Sequence, residues 1–208
     1  YVQNWEVYEK IRLKLLESGF EKTQIKSRVR FKLVTIDLIP FGGVESSKNE
    51  IIWPEDGRVM NMIGFDEVYK TAHRVFTPSR HEIRIASLAG LVLLKIVAWS
   101  DRPLERSQDP QDIAIIIKNY FDAGNEDRFY EENSDLVELD PFTVERAGAA
   151  LIGRDLKKIC NNKSLSAIIS ILKKELKKAD KSLFLQQMSY QHKFEWCEDV
   201  LNIFLKEL

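Results

Sequence analysis

The stretch Thr35-Ile36-Asp37-Leu38-Ile39-Pro40-Phe41-Gly42-Gly43 constrains this chain more than any other part of it. It sets one carboxylate inside an apolar, β-branched run that stops at Pro and Gly. Residues 33–39 read as a buried strand, with Pro40 and Gly42-Gly43 as the stop and the glycines as a turn. An ionised Asp in such a run is costly unless a cation or several donors meet it. Asp37 is therefore either hydrogen-bonded to structure or presented to a metal.

The period changes to two at Arg28. Val29, Phe31, Leu33, Thr35 and Asp37 then share one face, with Arg30 and Lys32 opposite. Such a strand is half solvated at its start and buried at its end. Asp37 is expected at that buried C-terminal end, where open α/β sheets place ligands.

The chain has 208 residues, 44% hydrophobic and 30% charged, with a net charge of −1. That describes an ordinary globular protein without global attraction to nucleic acid or to membranes. The longest apolar run, Ala86–Trp99, is interrupted by Lys95 and falls short of the roughly 18 residues of a membrane span. No secretory signal is present, so a cytoplasmic location is expected. Cys160 and Cys197 lack zinc or redox spacing, and Cys160 is expected in the core. His73, His81 and His192 have no nucleophile or carboxylate at telling spacing. The first residue is Tyr, and a helical pattern follows almost at once, as in a chain that starts partway into a domain.

Residues 3–18 form an amphipathic helical pattern through Val7, Ile11, Leu15 and Leu16. Ile51–Pro54 and Val59–Ile63 suggest a hairpin across Glu55-Asp56-Gly57. Phe65–Ala72 reads as a short helix, and Arg74–Phe76 and Glu82–Ile85 as strands. Ser87 caps a helix over Leu88–Ser100, with Leu91, Leu94, Ile96 and Val97 buried. Asp109 and Pro110 open the next helix as N-cap and first residue, and its apolar face is Ile113, Ile116, Ile117 and Tyr120. Beyond Phe121 no strand is visible. Residues 122–140 read as an acidic linker or loose helix, and 143–152, 154–160, 164–178 and 192–206 as helical. The expected fold class is α+β (mixed α/β): a small mixed sheet with flanking helices over 1–120, then a helical region over 121–208.

Two constellations carry chemistry. Lys95 breaks an apolar helix face and must snorkel or meet an anion. Trp99, Arg102, Arg106, Asp109 and Asp112 follow it. This is either a solvated helix pair with ordinary caps or an anion site with Lys95 and Arg102 on phosphate. The second is a stripe of Lys173, Lys174, Lys177, Lys178 and Lys181 opposite Ile168, Ile169, Leu172 and Leu176. Residues 157–181 hold eight Lys against Glu175 and Asp180. The stripe is either a solvated face or a seat for an RNA backbone, without aromatics for base stacking.

Three segments taken together resemble a known family. They are Asp37-Leu-Ile-Pro-Phe-Gly; Ile52-Trp53-Pro54 with Gly64-Phe65-Asp66-Glu67-Val68; and Leu94-Lys95-Ile-Val-Ala-Trp-Ser-Asp-Arg102 followed by Asp109-Pro-Gln-Asp112. Ala149-Ala150-Leu151-Ile152-Gly153-Arg154-Asp155 joins them. This order resembles the polymerase-β-like nucleotidyltransferase superfamily, in its AbiEii-like abortive-infection (type IV toxin) branch. The resemblance implies a nucleotidyltransferase-like fold and transfer of a nucleotidyl group from an NTP by metal-assisted in-line displacement, with Mg²⁺ held by carboxylates. It implies an RNA or protein acceptor, an antitoxin partner and no membrane.

By position, Asp37 resembles the third metal carboxylate. Lys95 matches the lysine of the helix motif, Asp109 the acidic position after it, and Asp112 a supporting one. The implied catalytic residues are thus Asp37, Lys95 and Asp109, with Asp37 on metal and Lys95, Arg102 and Arg106 on phosphate. The superfamily's Gly-rich helix start and Asp-x-Asp strand are not among these residues, and Gln108 stands where relatives often carry a basic residue. As written, the chain is expected to be inactive in transfer. The alternative reading is a degenerate nucleotidyltransferase fold that serves as a protein- or RNA-binding module.

Overall fold

The computed structural model describes residues Tyr1–Leu208, and its class is α+β. The chain divides into two compact units, Tyr1–Met62 and Ile63–Leu208. The division falls after the second hairpin and not near residue 120. Elements on either side of residue 120 pack into one helical body with a continuous core.

The first unit holds α1 (Trp5–Glu17), β1 (Glu21–Lys22), β2 (Arg28–Phe31), β3 (Val34–Asp37), β4 (Glu50–Ile52) and β5 (Val59–Asn61). Asn4 caps α1 by accepting the Val7 N–H at 2.9 Å. The buried face of α1 is not the aliphatic stripe: Tyr8 and Arg12 are buried, whereas Ile11 is 45% exposed. Trp5 and Tyr8 pack on Trp53, and Arg12 grips Glu9 with two hydrogen bonds. Aromatic packing therefore decides which side of the helix turns inward.

The run from Arg28 is not one strand. Lys32 takes a positive φ of 55°, and the chain reverses at Lys32-Leu33, so Phe31 pairs with Val34 and Arg28 with Asp37. All of β3 is exposed, which overturns the expected buried strand end. Gly42-Gly43 forms the expected turn, which accepts the amino-terminal segment beside it. Val2 donates to Phe41 O at 2.9 Å, and Gly43 donates to Val2 O at 2.8 Å. A Cβ on Gly43 would lie 1.9 Å from the Gln3 carbonyl oxygen, so only glycine fits. β4 and β5 form the expected hairpin.

The second unit begins with α2 (Phe65–Lys70) and the hairpin β6 (His73–Phe76) and β7 (Glu82–Ile85). Its helices are α3 (Leu88–Asp101), α4 (Gln108–Asn119), α5 (Glu126–Glu132), α6 (Val144–Ile159), α7 (Asn162–Leu176), α8 (Leu183–Met188) and α9 (Phe194–Glu207). The named strands all pair antiparallel, in sheets of three, two and two strands where a small mixed sheet was expected, and the one parallel pairing is the isolated Val2–Gly42 bridge.

Ser87 caps α3 as predicted, accepting the Gly90 N–H at 3.1 Å. The helix buries Val92, Leu93, Ile96, Val97 and Trp99, while Leu91 and Leu94 are only half-buried. Residues 143–160 form one helix, α6, and it is hidden along most of its length. Gly148 and Gly153 let α4 and α9 approach its backbone closely. The segment 122–140 is no linker: Phe129 and Leu136 are buried in the core. Each fully buried Leu, Ile or Phe contributes about 1.5–3 kcal/mol, so this helical core outweighs any single polar contact.

Candidate functional site

Lys95 lies on α3, one turn before Trp99. Its side chain is 22% exposed and reaches across to the first turns of α4. There its Nζ donates to Asp112 Oδ2 at 2.5 Å and to Asp109 Oδ1 at 3.2 Å. Arg106 Nε donates to the other oxygen of Asp109 at 2.7 Å. The Asp109 side chain is 7% exposed, whereas those of Arg106 and Asp112 are 40% and 42% exposed.

The start of α4 explains this arrangement. The helix begins at Gln108, so Asp109 and Pro110 lie inside its first turn rather than at the N-cap and first positions. The Asp109 carboxylate is committed to two cations and caps nothing, while a first-turn anion still favours the helix dipole. Burying that carboxylate is tolerable because both of its oxygens have charged donors.

Lys95, Asp109, Asp112 and Arg106 are thus brought together, but Lys95 is engaged by two carboxylates rather than held free for the phosphate expected of it. The four charges balance, so the cluster has no excess positive charge. Arg102 does not join it; its Nη1 lies 3.4 Å from Glu105 Oε2 in a loose contact. The donors left for an anion are the terminal nitrogens of Arg106 and the half-exposed Arg102.

Asp37 belongs to the first unit. Arg28 Nε donates to its Oδ1 at 2.6 Å and Arg28 Nη2 to its Oδ2 at 2.9 Å. The two residues are register partners on β2 and β3, so this bidentate pairing follows from the hairpin geometry. The Mg²⁺ implied by the family resemblance does not fit the donors present. Both oxygens of Asp37 are engaged by a guanidinium, and no three His, Cys, Asp or Glu residues cluster as a metal would need.

Other polar networks lock helices together. Tyr120 donates to Asp155 at 2.6 Å, and Arg128 holds the same carboxylate at 2.6 Å. Burial pushes the Tyr120 hydroxyl well above its usual range. Arg154 joins Asp135 to Glu207, and its guanidinium holds the Asp135 carboxyl below the usual carboxylate range. The Tyr120–Asp155 and Arg154–Glu207 pairs span 35 and 53 residues, and no local pattern announces them. Burial raises both thiols, Cys160 and Cys197, to about 12, so neither is a thiolate at neutral pH.

Sequence reasoning also missed a cleft between α4 and α8, of about 490 Å³, lined by Gln108, Gln111, Gln186, Gln187 and Tyr190 with Ser107 and Leu183. The predicted lysine stripe forms only in part: α7 ends at Leu176, so Lys177, Lys178 and Lys181 lie beyond it, and Lys181 is not in the groove. Lys173, Lys174, Lys177 and Lys178 line an open groove of about 710 Å³ with Ser166, Ile169 and Ser170. Only Lys178 of these lysines pairs with a carboxylate, the buried Glu175. No helix is long and apolar enough to cross a membrane. No protein-family model, no curated protein and no solved structure matches this chain.

Proposed function

We propose that the chain is a nucleotidyltransferase-like protein whose second unit receives the triphosphate of an NTP beside the Lys95–Asp109–Asp112–Arg106 cluster. The supporting observation is that cluster itself. The lysine and the two acidic positions of the family-like segment close on one another, and the arginine beside them keeps donors to spare. Arg106 and Arg102 would meet phosphate oxygens from the solvent side, as forked guanidinium donors do. Asp109 holds Arg106 in place through its Nε. In the transfer, an acceptor hydroxyl would bond to the α-phosphorus and give its proton to solvent water, while the bond from the α-phosphorus to the α–β bridging oxygen breaks and pyrophosphate leaves. Arginine donors would stabilise the charge that grows on the departing oxygens. The acceptor would be an RNA or a protein.

Equilibrium dialysis with α-labelled NTPs tests this reading. Arg102→Gln with Arg106→Gln is expected to weaken NTP retention on the order of tenfold or more, since each charge-assisted contact contributes about 1.5–3 kcal/mol. NTP retention that ignores the double substitution rejects it.

A second reading, a binding module, is favoured by the lysines at the C-terminal end of α7, where Lys173, Lys174 and Lys177 have no carboxylate partner. Charge reversal at Lys173, Lys177 and Lys181 should then abolish capture of a polyanion such as duplex RNA without altering the fold.

A further inference from the structure

We propose that the cleft between α4 and α8 is a nucleobase site, with Tyr190 as the stacking surface and the Gln111 and Gln186 carbonyls as hydrogen-bond acceptors. It rests on the preceding reading only for the identity of the whole ligand, an NTP. The chemistry of the cleft stands separately.

The cleft is open to solvent on one side, and its volume of about 490 Å³ leaves room for a planar base. No residue that lines it carries a charge, so it suits a neutral group. Four of its side chains are carboxamides, and three are oriented by neighbours. Gln111 Nε2 donates to Ser107 O at 3.1 Å, and Gln186 Nε2 donates to Asp180 O at 2.7 Å. A carbonyl can only accept, so these bonds fix both amides with the amide nitrogen on the backbone and leave each Oε1 as acceptor. Gln187 serves as a buttress, since its Oε1 accepts from Trp99 Nε1 at 2.7 Å and its Nε2 donates to Pro103 O at 3.0 Å. Gln108 keeps a whole amide available.

Tyr190 borders the same cleft and is 74% exposed, an aromatic face unburied by the fold. Aromatic faces of this kind receive bases, and amides read base edges. Two acceptors call for two N–H groups. An exocyclic amino group supplies them on adenine, cytosine or guanine, whereas the uracil ring offers a single N–H on its pairing edge.

The cleft is also placed beside the charged cluster. Arg106 immediately precedes Ser107 in the chain. An adjoining cavity of about 100 Å³ shares Gln108 and Gln111 with the cleft and is lined by Asp112, the partner of Lys95. Arg106 lines neither cavity, so a nucleotide with its base in the cleft would reach it past Ser107, its neighbour in the chain.

The test uses nucleosides without phosphate, titrated calorimetrically into the intact chain. Adenosine and cytidine are expected to bind more tightly than uridine. Tyr190→Ala, an exposed change that leaves the core intact, should weaken adenosine on the order of tenfold, in line with the stacking energies of bases on aromatic side chains. Gln108→Ala is a second exposed variant and should also weaken it. Failure of the unaltered protein to bind any nucleoside overturns the site, as does adenosine affinity indifferent to both substitutions. Binding of an oligoribonucleotide alone overturns it too. Arg106→Gln should weaken ATP and spare adenosine. Should ATP ignore Arg106 while adenosine responds to Tyr190, the base site stands and the phosphate assignment falls.

Discussion

Lys95 of α3 and Asp109 of α4, 14 residues apart in the chain, meet at 3.2 Å around a carboxylate that solvent barely reaches. With the Lys95–Asp112 contact, the pair ties together two helices that both feed the apolar core. Its energetics depend on what each substitution leaves behind. Lys95→Met leaves Asp109 with Arg106 alone, so a loss of about 1–3 kcal/mol is expected, below the cost of orphaning a buried charge completely. Asp112→Asn acts on a carboxylate that is 42% exposed and should cost under about 1 kcal/mol. Lys95→Met combined with Asp109→Leu should recover part of the first loss, because no buried charge then remains unpaired. Chemical denaturation of the four proteins measures this, and equal losses for the Lys95 and Asp112 variants would contradict the assignment.

Gly153 of α6 sits against the last turns of α9. A Cβ there would lie 2.7 Å from both the Phe204 carbonyl oxygen and the Glu207 Cβ. Alanine would improve helix propensity by about 1 kcal/mol, but overpacking against backbone costs about 1–3 kcal/mol. Gly153→Ala should therefore destabilise, with a lower urea midpoint and an unchanged m-value. Gly148→Ala should do the same, because its Cβ would meet the Ile117 carbonyl oxygen at 2.7 Å.

His192 stacks on Trp196 with ring centroids 4.7 Å apart. Partial burial, and then the charge of Lys118, lower its pKa from the ordinary 6.5. The unfolded chain therefore binds this proton more readily than the native protein. Its contribution to stability is complete above pH 6.5 and is lost as the pH falls from there through the lower folded pKa. His192→Gln should flatten that part of the stability profile, and an unchanged slope in that variant would locate the titration elsewhere. A second acid-labile contribution belongs to Asp135, whose carboxyl Arg154 holds below 3.8, so it fades only in stronger acid.

What the sequence made legible was local. Ser87 and the apolar run after it predict α3, and Glu55-Asp56-Gly57 predicts the β4–β5 turn. A lysine inside an apolar helix face announced that an anion must meet it, which Asp109 and Asp112 do. The β2–β3 hairpin was hidden because its turn, Lys32-Leu33, contains none of the Gly, Asn or Pro that signal one. Missing that turn moved Asp37 from a solvated position opposite Arg28 to a supposed buried strand end. The start of α4 was misplaced because Asp-Pro mimics a cap that the Lys95 and Arg106 contacts override. The glutamine cleft draws on residues up to 83 positions apart, Ser107 to Tyr190, and no spacing rule joins them.

That hidden turn makes a last prediction. Lys32 holds a φ of 55° in a two-residue connection, a conformation that disfavours a side chain, and Leu33 beside it is 99% exposed. Lys32→Gly removes the Cβ conflict, and the entropy lost with glycine offsets part of the gain. A net stabilisation of up to about 1 kcal/mol is expected, with Arg28 still opposite Asp37. Adding Leu33→Asn removes exposed apolar surface at the tip and should not disturb the register. Thermal unfolding of the protein, with amide exchange over residues 28–37, checks both points. A destabilised Lys32→Gly protein would mean that the lysine contact over the Phe31 ring, 5.6 Å from Nζ to centroid, outweighs the strain. Slower exchange across the Val29–Ile36 pair would instead show the strain of the turn to be the weak point of the hairpin.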